Sequence, residues 1–242
     1  MSFDAGPGEM IGLVGPNGCG KTTLLRALAA LVPASGSAAY GGVAVGALPR
    51  RRLAQTVALM AQHPPMEFAF TAEEVVALGR LPHLPLLGTP GAQDRERVAG
   101  ALARVGATAL AARPLRELSG GERRRVMMAQ ALAQDTPVLL LDEPTAHLDV
   151  AHQFALMEVA AALAAEGRLV IAALHELSLA ARFCTRILAL SDGHLVADAP
   201  PAEAFTPELL ARVFDMDAAV ADGPEGLEIR YLRPLPRPSS LF

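Results

Sequence analysis

The stretch that decides the fold is MIGLV at residues 10–14, followed by GPNGCGKT at residues 15–22 and TLLRALAAL at residues 23–31. The first segment is a short apolar run, which is typical of a buried β-strand. The third has helical spacing and stops before Pro33. The glycine-rich segment between them predicts a phosphate-binding loop, because this motif requires a strand before it and a helix after it.

The chemistry of this loop follows from its residue types. Gly15, Gly18 and Gly20 allow the backbone to bend so that successive N–H groups face inward and hold phosphate oxygens. Lys21 can place a compact positive charge on the outer phosphates, and the Thr22 hydroxyl can ligate Mg²⁺. A glycine turn that merely precedes a lysine is the alternative, and the flanking strand and helix argue against it. The predicted nucleotide-binding residues of the loop are Gly15, Pro16, Asn17, Gly18, Cys19, Gly20, Lys21, Thr22 and Thr23.

A second apolar run, VLLL at residues 138–141, ends in Asp142 and Glu143. It is typical of a parallel strand that is buried on both faces, and ligands bind at the carboxyl ends of such strands. Asp142 would hold Mg²⁺ together with Thr22, and Glu143 would polarise the attacking water. A surface Asp-Glu pair that simply closes a strand is the alternative. Together with the loop, the pair predicts an ATPase that uses ATP and Mg²⁺.

Composition limits the other possibilities. The 242 residues suffice for one large domain or for a domain with a sub-domain, and 52% of them are hydrophobic against 19% charged. The net charge is −4, and no basic run is longer than the three residues of Arg123-Arg124-Arg125, so nucleic acid is not expected as the main partner. Cys19 and Cys184 form neither a metal-ligand pattern nor a disulfide framework. We see no signal peptide and no apolar run near the ~20 residues that span a bilayer, so a cytoplasmic chain is expected.

The most specific stretch is LSGGE at residues 118–122, which precedes a helical pattern from Arg123 to Ala133. Ser119 and two glycines at a helix start supply a second set of free N–H donors for phosphate. An ordinary capped helix is the alternative. A single chain binds one triphosphate, in its P-loop. The simplest arrangement that uses both sets of donors is therefore a head-to-tail dimer, in which this segment closes over the partner's nucleotide. Here the sequence resembles the ATP-binding subunits of ABC transporters, whose signature is LSGGE.

Other segments extend the resemblance in the order that the family has. LMAQ at residues 59–62 is similar to the Q-loop, PTAHLD at 144–149 to the D-loop, and the strand at 169–174 ends at His175, similar to the switch histidine. The resemblance implies that Gln62 senses Mg²⁺ and the membrane partner. Ser119, Gly120 and Gly121 would bind the opposite subunit's γ-phosphate, Asp149 would link the two sites, and His175 would hold the γ-phosphate. The implied catalytic residues are Glu143, His175 and Gln62, and the implied Mg²⁺ ligands are Thr22, Gln62 and Asp142.

The resemblance also implies an architecture. We expect an α/β fold: a P-loop NTPase (RecA-like) core with a parallel sheet, an inserted helical sub-domain and a truncated N-terminal antiparallel β part. The core would comprise residues 1–62 and 136–222, the sub-domain 63–135, and a Pro/Arg-rich tail 223–242, with a possible strand at 227–232. Met66, Phe68 and Phe70 are either core packing under a loop or a groove for a membrane subunit.

Shorter signals point to one branch of the family. LGRLPH at residues 78–83 and LHEL at 174–177 are similar to importers of iron-siderophores, haem and cobalamin. Expected partners are a second copy of the chain, transmembrane permease subunits and, indirectly, a periplasmic or lipid-anchored substrate-binding protein. The expected location is the cytoplasmic face of the plasma (inner) membrane. A soluble ABC protein of non-transport function and a non-hydrolysing or regulatory fragment are the alternatives.

Three departures from the family pattern accompany the resemblance. Arg124 stands where glutamine is usual, and it either alters contacts near the nucleotide or is an inert charge on an exposed helix. Glu176 replaces the usual aspartate after the switch histidine. The segment before the P-loop is short, and Phe3 lies too close to Gly15 to stack on adenine. We therefore expect either a start upstream of Met1 or a shortened paralogue, with weaker ATP binding in the chain as written.

Overall fold

The computed structural model describes residues 1–61, 70–85, 88–223 and 226–236. The strands among these residues, in chain order, are β1 Met10–Val14, β2 Ala39–Tyr40, β3 Val43–Ala44, β4 Val57–Met60, β5 Val138–Asp142, β6 Leu169–Ala173, β7 Arg186–Ser191, β8 His194–Ala199, β9 Met216–Gly223 and β10 Gly226–Pro234. The α-helices are α1 Lys21–Leu28, α2 Arg50–Ala54, α3 Ala72–Leu78, α4 Ala92–Arg104, α5 Gly120–Ala133, α6 Val150–Ala165, α7 Leu177–Phe183, α8 Pro201–Ala204 and α9 Pro207–Phe214. None of these helices is long and apolar enough to cross a bilayer.

A six-stranded sheet in the order β4-β5-β6-β1-β7-β8 forms the centre of the molecule. The first five strands are parallel, and β8 pairs antiparallel with β7 at one edge. Every residue of β1, β5 and β6 is buried, as their continuous apolar sequences predict. One apolar cluster includes Leu25 of α1, and the other includes residues of α6 and of α3–α5. The expected parallel α/β core is confirmed.

The helices α3, α4 and α5 pack against one another and form the inserted helical layer. Two of them begin with reciprocal capping boxes: Thr71 with Glu74 at α3, and Ser119 with Glu122 at α5. The boundaries drawn from the sequence, at residues 62/63 and 135/136, lie between β4 and α3 and between α5 and β5.

The segment LGRLPH of the sequence analysis has a structural role in this layer. The buried Arg80 donates from Nε to Asp94 Oδ1 at 3.0 Å and from Nη1 to the carbonyl oxygen of Ala133 at 2.8 Å. The ring Nε2 of His83 lies 2.8 Å from the carbonyl oxygen of Gln134. Arg80 therefore joins α3, the first turn of α4 and the end of α5.

Gly79 allows α3 to approach α5 closely, which leads to a stability prediction. A Cβ at position 79 would lie 2.3 Å from the carbonyl oxygen of Gln130, a backbone atom that cannot move aside. Gly79→Ala is therefore expected to lower the free energy of unfolding by about 1–3 kcal/mol, the usual cost of overpacking. Unfolding in guanidinium chloride, monitored by circular dichroism, measures this change in the free energy of unfolding.

Gly100, in the exposed face of α4, is the matched control for that measurement. A Cβ there meets nothing within 4 Å, and alanine is the better helix former by up to about 1 kcal/mol. Gly100→Ala should therefore stabilise the protein. Equal effects of the two substitutions would contradict a role for close α3–α5 contact.

The C-terminal part differs from the expectation of a tail. Strands β9 and β10 form an antiparallel hairpin, in register from Met216 with Pro234 to Gly223 with Gly226. β9 packs against α9 and β10 packs against α7. The predicted boundary after residue 222 is therefore wrong, because it cuts this hairpin, and the possible strand at residues 227–232 lies within β10. The Pro and Arg content suggested an extended tail, but alternating side chains such as Leu227 and Ile229 pack on the core.

Candidate functional site

The loop between β1 and α1 is shaped by its glycines. Gly15, Gly18 and Gly20 have φ values of 152°, 80° and 106°, a region that favours glycine. Gly15 also lacks room for a side chain, since a Cβ would lie 2.3 Å from the carbonyl oxygen of Leu190. Lys21 is buried within the loop, and its Nζ donates to the carbonyl oxygens of Gly15 at 2.7 Å and of Pro16 at 3.1 Å. The positive charge is thus held at the centre of the loop.

Two of the predicted Mg²⁺ ligands meet at the start of α1. The Thr22 hydroxyl donates to Asp142 Oδ1 at 2.9 Å, although the two residues are 120 positions apart in the chain. Asp142 is 1% exposed; burial raises the pKa of its carboxyl group, and the Thr22 hydrogen bond opposes that rise. Hydroxyl and carboxylate oxygens are the donors that Mg²⁺ prefers, so this pair fits the ion. Gln62, the third predicted ligand, lies outside the described residues.

Two of the predicted catalytic residues also meet. His175 Nε2 lies 2.7 Å from Glu143 Oε1. The contact follows from the sheet, because β5 and β6 are parallel neighbours with Asp142 opposite Ala173. Glu143, one residue further on, and His175, two residues further on, therefore emerge at the same edge. Glu143 has a φ of 52°, in the left-handed region, where the chain turns out of β5. The imidazole of His175 thus orients the carboxylate of Glu143, next to the Asp142–Thr22 pair.

The residue after His175 contributes a further contact. Glu176 Oε2 accepts a hydrogen bond of 3.2 Å from the hydroxyl of Thr145, which is 2% exposed. This bond ties the segment after β6 to the segment after β5. The substitution of aspartate by glutamate, noted from the sequence, therefore leaves a carboxylate that reaches the neighbouring loop.

The segment at the start of α5 lies beside the segment before α6. Ser119 and Gly120 are exposed, and Asp149 caps α6 by accepting from the backbone N of His152 at 2.9 Å. One cleft joins the two segments, and among the described residues it is lined by Ser119, Gly121, Glu122, Arg125, His147, Leu148, Asp149 and His152. The P-loop residues 15–23 are not among the described residues that line this cleft.

Comparison with known proteins now decides the family. The profile of the ABC transporter family matches residues 1–146, more than half of the chain. The chain belongs to the ABC transporter family. The resemblance drawn from the sequence is confirmed.

The names of several relatives within the ABC family describe them as ATP-binding proteins of import systems. The chain is 44% identical to the cobalamin import ATP-binding protein BtuD of Halobacterium salinarum over 219 residues, which are 90% of this chain and 54% of that protein. It is 44% identical to the hemin import ATP-binding protein HmuV of Nocardia farcinica over 226 residues, 93% of this chain and 77% of that protein. The chain thus spans about half the length of the first of these relatives.

Solved ABC structures share the fold. A metal-chelate type ABC transporter in an inward-facing conformation superposes with a TM-score of 0.82 and 26% identity, covering 98% of this chain and 90% of that one. The ATP-binding cassette MJ0796, a dimer in a post-hydrolysis state bound to ADP and Pi, superposes with a TM-score of 0.73 and 27% identity, over 82% of this chain and 88% of that one. The expected ABC ATPase fold is confirmed.

Arg124 corrects an expectation from the sequence. Of its two interpretations, the inert charge on an exposed helix is wrong, because Arg124 is 7% exposed. Its charge acts on Glu143 and Asp142, and burial lowers the pKa of its guanidinium. A signal was present in the sequence: Arg124 precedes the buried Met127 and Met128 by three and four positions, so it shares their helix face.

Proposed function

We propose that this chain is the ATP-binding and ATP-hydrolysing subunit that powers an importer of metal-chelate compounds of the iron-siderophore, haem or cobalamin kind. The proposal rests on the contact between Glu143 and His175, which lies beside the Asp142–Thr22 pair and next to the P-loop. Names of relatives support the import direction and the class of cargo. Because the cargo would pass through other subunits, no residue of this chain would contact it.

In this mechanism the P-loop amides and Lys21 bind the outer phosphates of ATP, and His175 orients the Glu143 carboxylate toward the attacking water. Glu143 accepts a proton of that water as its oxygen bonds to the γ-phosphorus, while the bond from the γ-phosphorus to the β–γ bridging oxygen breaks and ADP leaves with that electron pair. Thr22 and Asp142, with Gln62, would hold Mg²⁺, which when bound neutralises charge on the phosphates. Hydrolysis would then allow the closed form of the protein to open.

A second copy of the chain completes the proposed site. At the N-terminus of α5, Ser119 and Gly120 are exposed and Gly121 is half-buried; these three residues would bind the γ-phosphate of the partner's nucleotide. Asp149, in the same cleft, would couple the two sites. Closure of the two copies would drive a conformational change in transmembrane permease subunits. The dimer would be attached peripherally to the cytoplasmic face of the membrane. A substrate-binding protein would deliver cargo to the permease from outside. The dimeric cassette MJ0796 supports this arrangement.

Light scattering on the Glu143→Gln chain tests the clamp. We expect a monomer without nucleotide and a dimer with Mg·ATP, because slowed hydrolysis preserves the closed state. Adding Gly120→Asp should abolish the dimer without preventing ATP binding, since a Cβ at Gly120 meets nothing within 4 Å and the added carboxylate repels phosphate. A dimer that forms equally in all variants, or in none, would contradict the sandwich.

Uptake measurements test the cargo class. In the source organism, a chromosomal Glu143→Gln substitution should abolish uptake of at least one of three labelled compounds: cobalamin, haem or a ferric hydroxamate. Uptake of a labelled amino acid is the control and should not change. Normal uptake of all three compounds, together with ATP turnover by the purified chain, would favour the soluble ABC protein of non-transport function.

A further inference from the structure

His175 is fixed in the candidate site through its two neighbours in the chain. Its side chain is 37% exposed, so packing alone does not set the direction of the imidazole. On one side, the buried Leu174 donates its backbone N–H to the carbonyl oxygen of Leu13 at 3.0 Å, which continues the pairing of β6 with β1. On the other side, Glu176 is the N-cap residue of α7, and its carbonyl oxygen accepts from the N–H of Ala180 at 3.1 Å. The direction of the imidazole therefore depends on how firmly these two neighbours are held.

The side chain of Glu176 does not cap the helix that follows it. An aspartate, the usual residue at this position, can accept from the backbone N–H groups of a first helical turn. Glu176 accepts no hydrogen bond from the N–H groups of the first turn of α7, all of which the structure describes. Its Oε2 accepts instead from the hydroxyl of Thr145 at 3.2 Å. The carboxylate of an aspartate would end about 1.5 Å short of this contact, the length of one C–C bond.

Thr145 is a fixed partner for that carboxylate. The residue is 2% exposed, and its carbonyl oxygen accepts from the backbone N–H of Leu148 at 3.2 Å. Two positions before it in the chain, Glu143 makes the contact of 2.7 Å with His175. The segments after β5 and β6 are therefore joined by two neighbouring side-chain contacts, of which the mechanism uses one.

We propose that Thr145 and Glu176 are positioning residues for ATP hydrolysis. Their hydrogen bond fixes the backbone that carries His175 and so keeps its imidazole against the Glu143 carboxylate. The inference rests on the function proposed above. Neither residue of the pair would contact the nucleotide or the attacking water. Because the pair acts through His175, its loss should change kcat and leave the KM for ATP unchanged.

Four substitutions separate the hydrogen bond from the bulk of the two side chains. Thr145→Val removes the donor and Glu176→Met removes the acceptor, each with little change of shape. We expect either one to lower kcat for phosphate release about threefold to tenfold, the weight of one hydrogen bond, with the KM for ATP within about twofold. Thr145→Ser keeps a hydroxyl and Glu176→Gln keeps an acceptor oxygen, so both should retain the wild-type kcat within about twofold.

Thr136→Val is the matched control for the loss of a buried hydroxyl. Thr136 is also 2% exposed and donates to the carbonyl oxygen of Val138 at 2.7 Å, but it lies before β5, at the end of the strand opposite the site. This substitution should reduce stability and leave kcat within about twofold. A second control places Thr145→Val in the His175→Ala chain under single-turnover conditions. No further loss of rate is expected there, because residues that act as one unit are not additive.

Each outcome separates the inference from the proposed function. If the wild-type chain hydrolyses ATP but Thr145→Val and Glu176→Met match Thr136→Val in kcat, the inference is wrong and the function stands. If Thr145→Val slows the His175→Ala chain as much as it slows the wild type, the pair does not act through His175 and the proposal is overturned. The same holds if neither removal variant folds while Thr145→Ser and Glu176→Gln do, because the bond is then structural. If the wild-type chain neither binds nor hydrolyses ATP, the function itself fails.

Discussion

Replacement of Glu143 by glutamine is expected to slow ATP turnover by about 10²–10⁴-fold while nucleotide binding is retained. The amide has nearly the same shape as the carboxylate, so the segment after β5 keeps its fold, but it cannot accept a proton. The Glu143 carboxylate lies 2.7 Å from His175 Nε2 and next to the Asp142–Thr22 pair, which is where the proposed mechanism places the base for the attacking water. Phosphate release measured under single-turnover conditions tests the chemical step directly.

Glu158→Gln is the matched control for this substitution. Glu158 is exposed on α6, so the same chemical change there should leave turnover within about twofold of the wild type. His175→Ala should also reduce turnover, because Glu143 then loses the group that orients it. Turnover of the Glu143→Gln chain at the wild-type rate would refute its role as the base.

Replacement of Lys21 by alanine is expected to weaken ATP binding by at least about 30-fold. The figure corresponds to ~2 kcal/mol, the lower end of what removal of one partner from a buried charge pair costs. Lys21 is buried in the loop, and its ammonium already points at the loop carbonyls of Gly15 and Pro16. Titration with a fluorescent ATP analogue measures the change.

The chain offers an independent readout of the same residue, because Lys21 is the only lysine in the sequence. Amine-selective acylation followed by mass spectrometry therefore reports on this side chain and on the N-terminal amine. Saturating Mg·ATP should protect Lys21, while the N-terminal amine serves as the internal control. Lys21→Arg should not restore binding, since a planar guanidinium is larger than the compact ammonium that the loop encloses. Unchanged ATP affinity in Lys21→Ala would contradict the phosphate-binding role of the loop.

The sequence alone determined the features that depend on neighbours in the chain. The strand, loop and helix around GPNGCGKT could be predicted because apolar periodicity and glycine conformations are local properties. The same holds for α5, since the helical pattern predicted up to Ala133 follows the Ser119 cap at which the helix begins. The parallel core could also be predicted from the sequence, because continuous apolar runs such as VLLL are characteristic of strands buried on both faces.

Only the tertiary structure decided which distant residues meet. The contacts of Glu143 with His175 and of Thr22 with Asp142 join positions 32 and 120 residues apart, and they arise from the order of strands in the sheet. The sequence left two interpretations of Arg124 open, and the burial of its side chain on the face of α5 that packs inside the domain decided between them. The β9–β10 hairpin was missed as part of the domain for a related reason: its Pro- and Arg-rich composition suggests solvent exposure, and packing against α7 and α9 outweighs it.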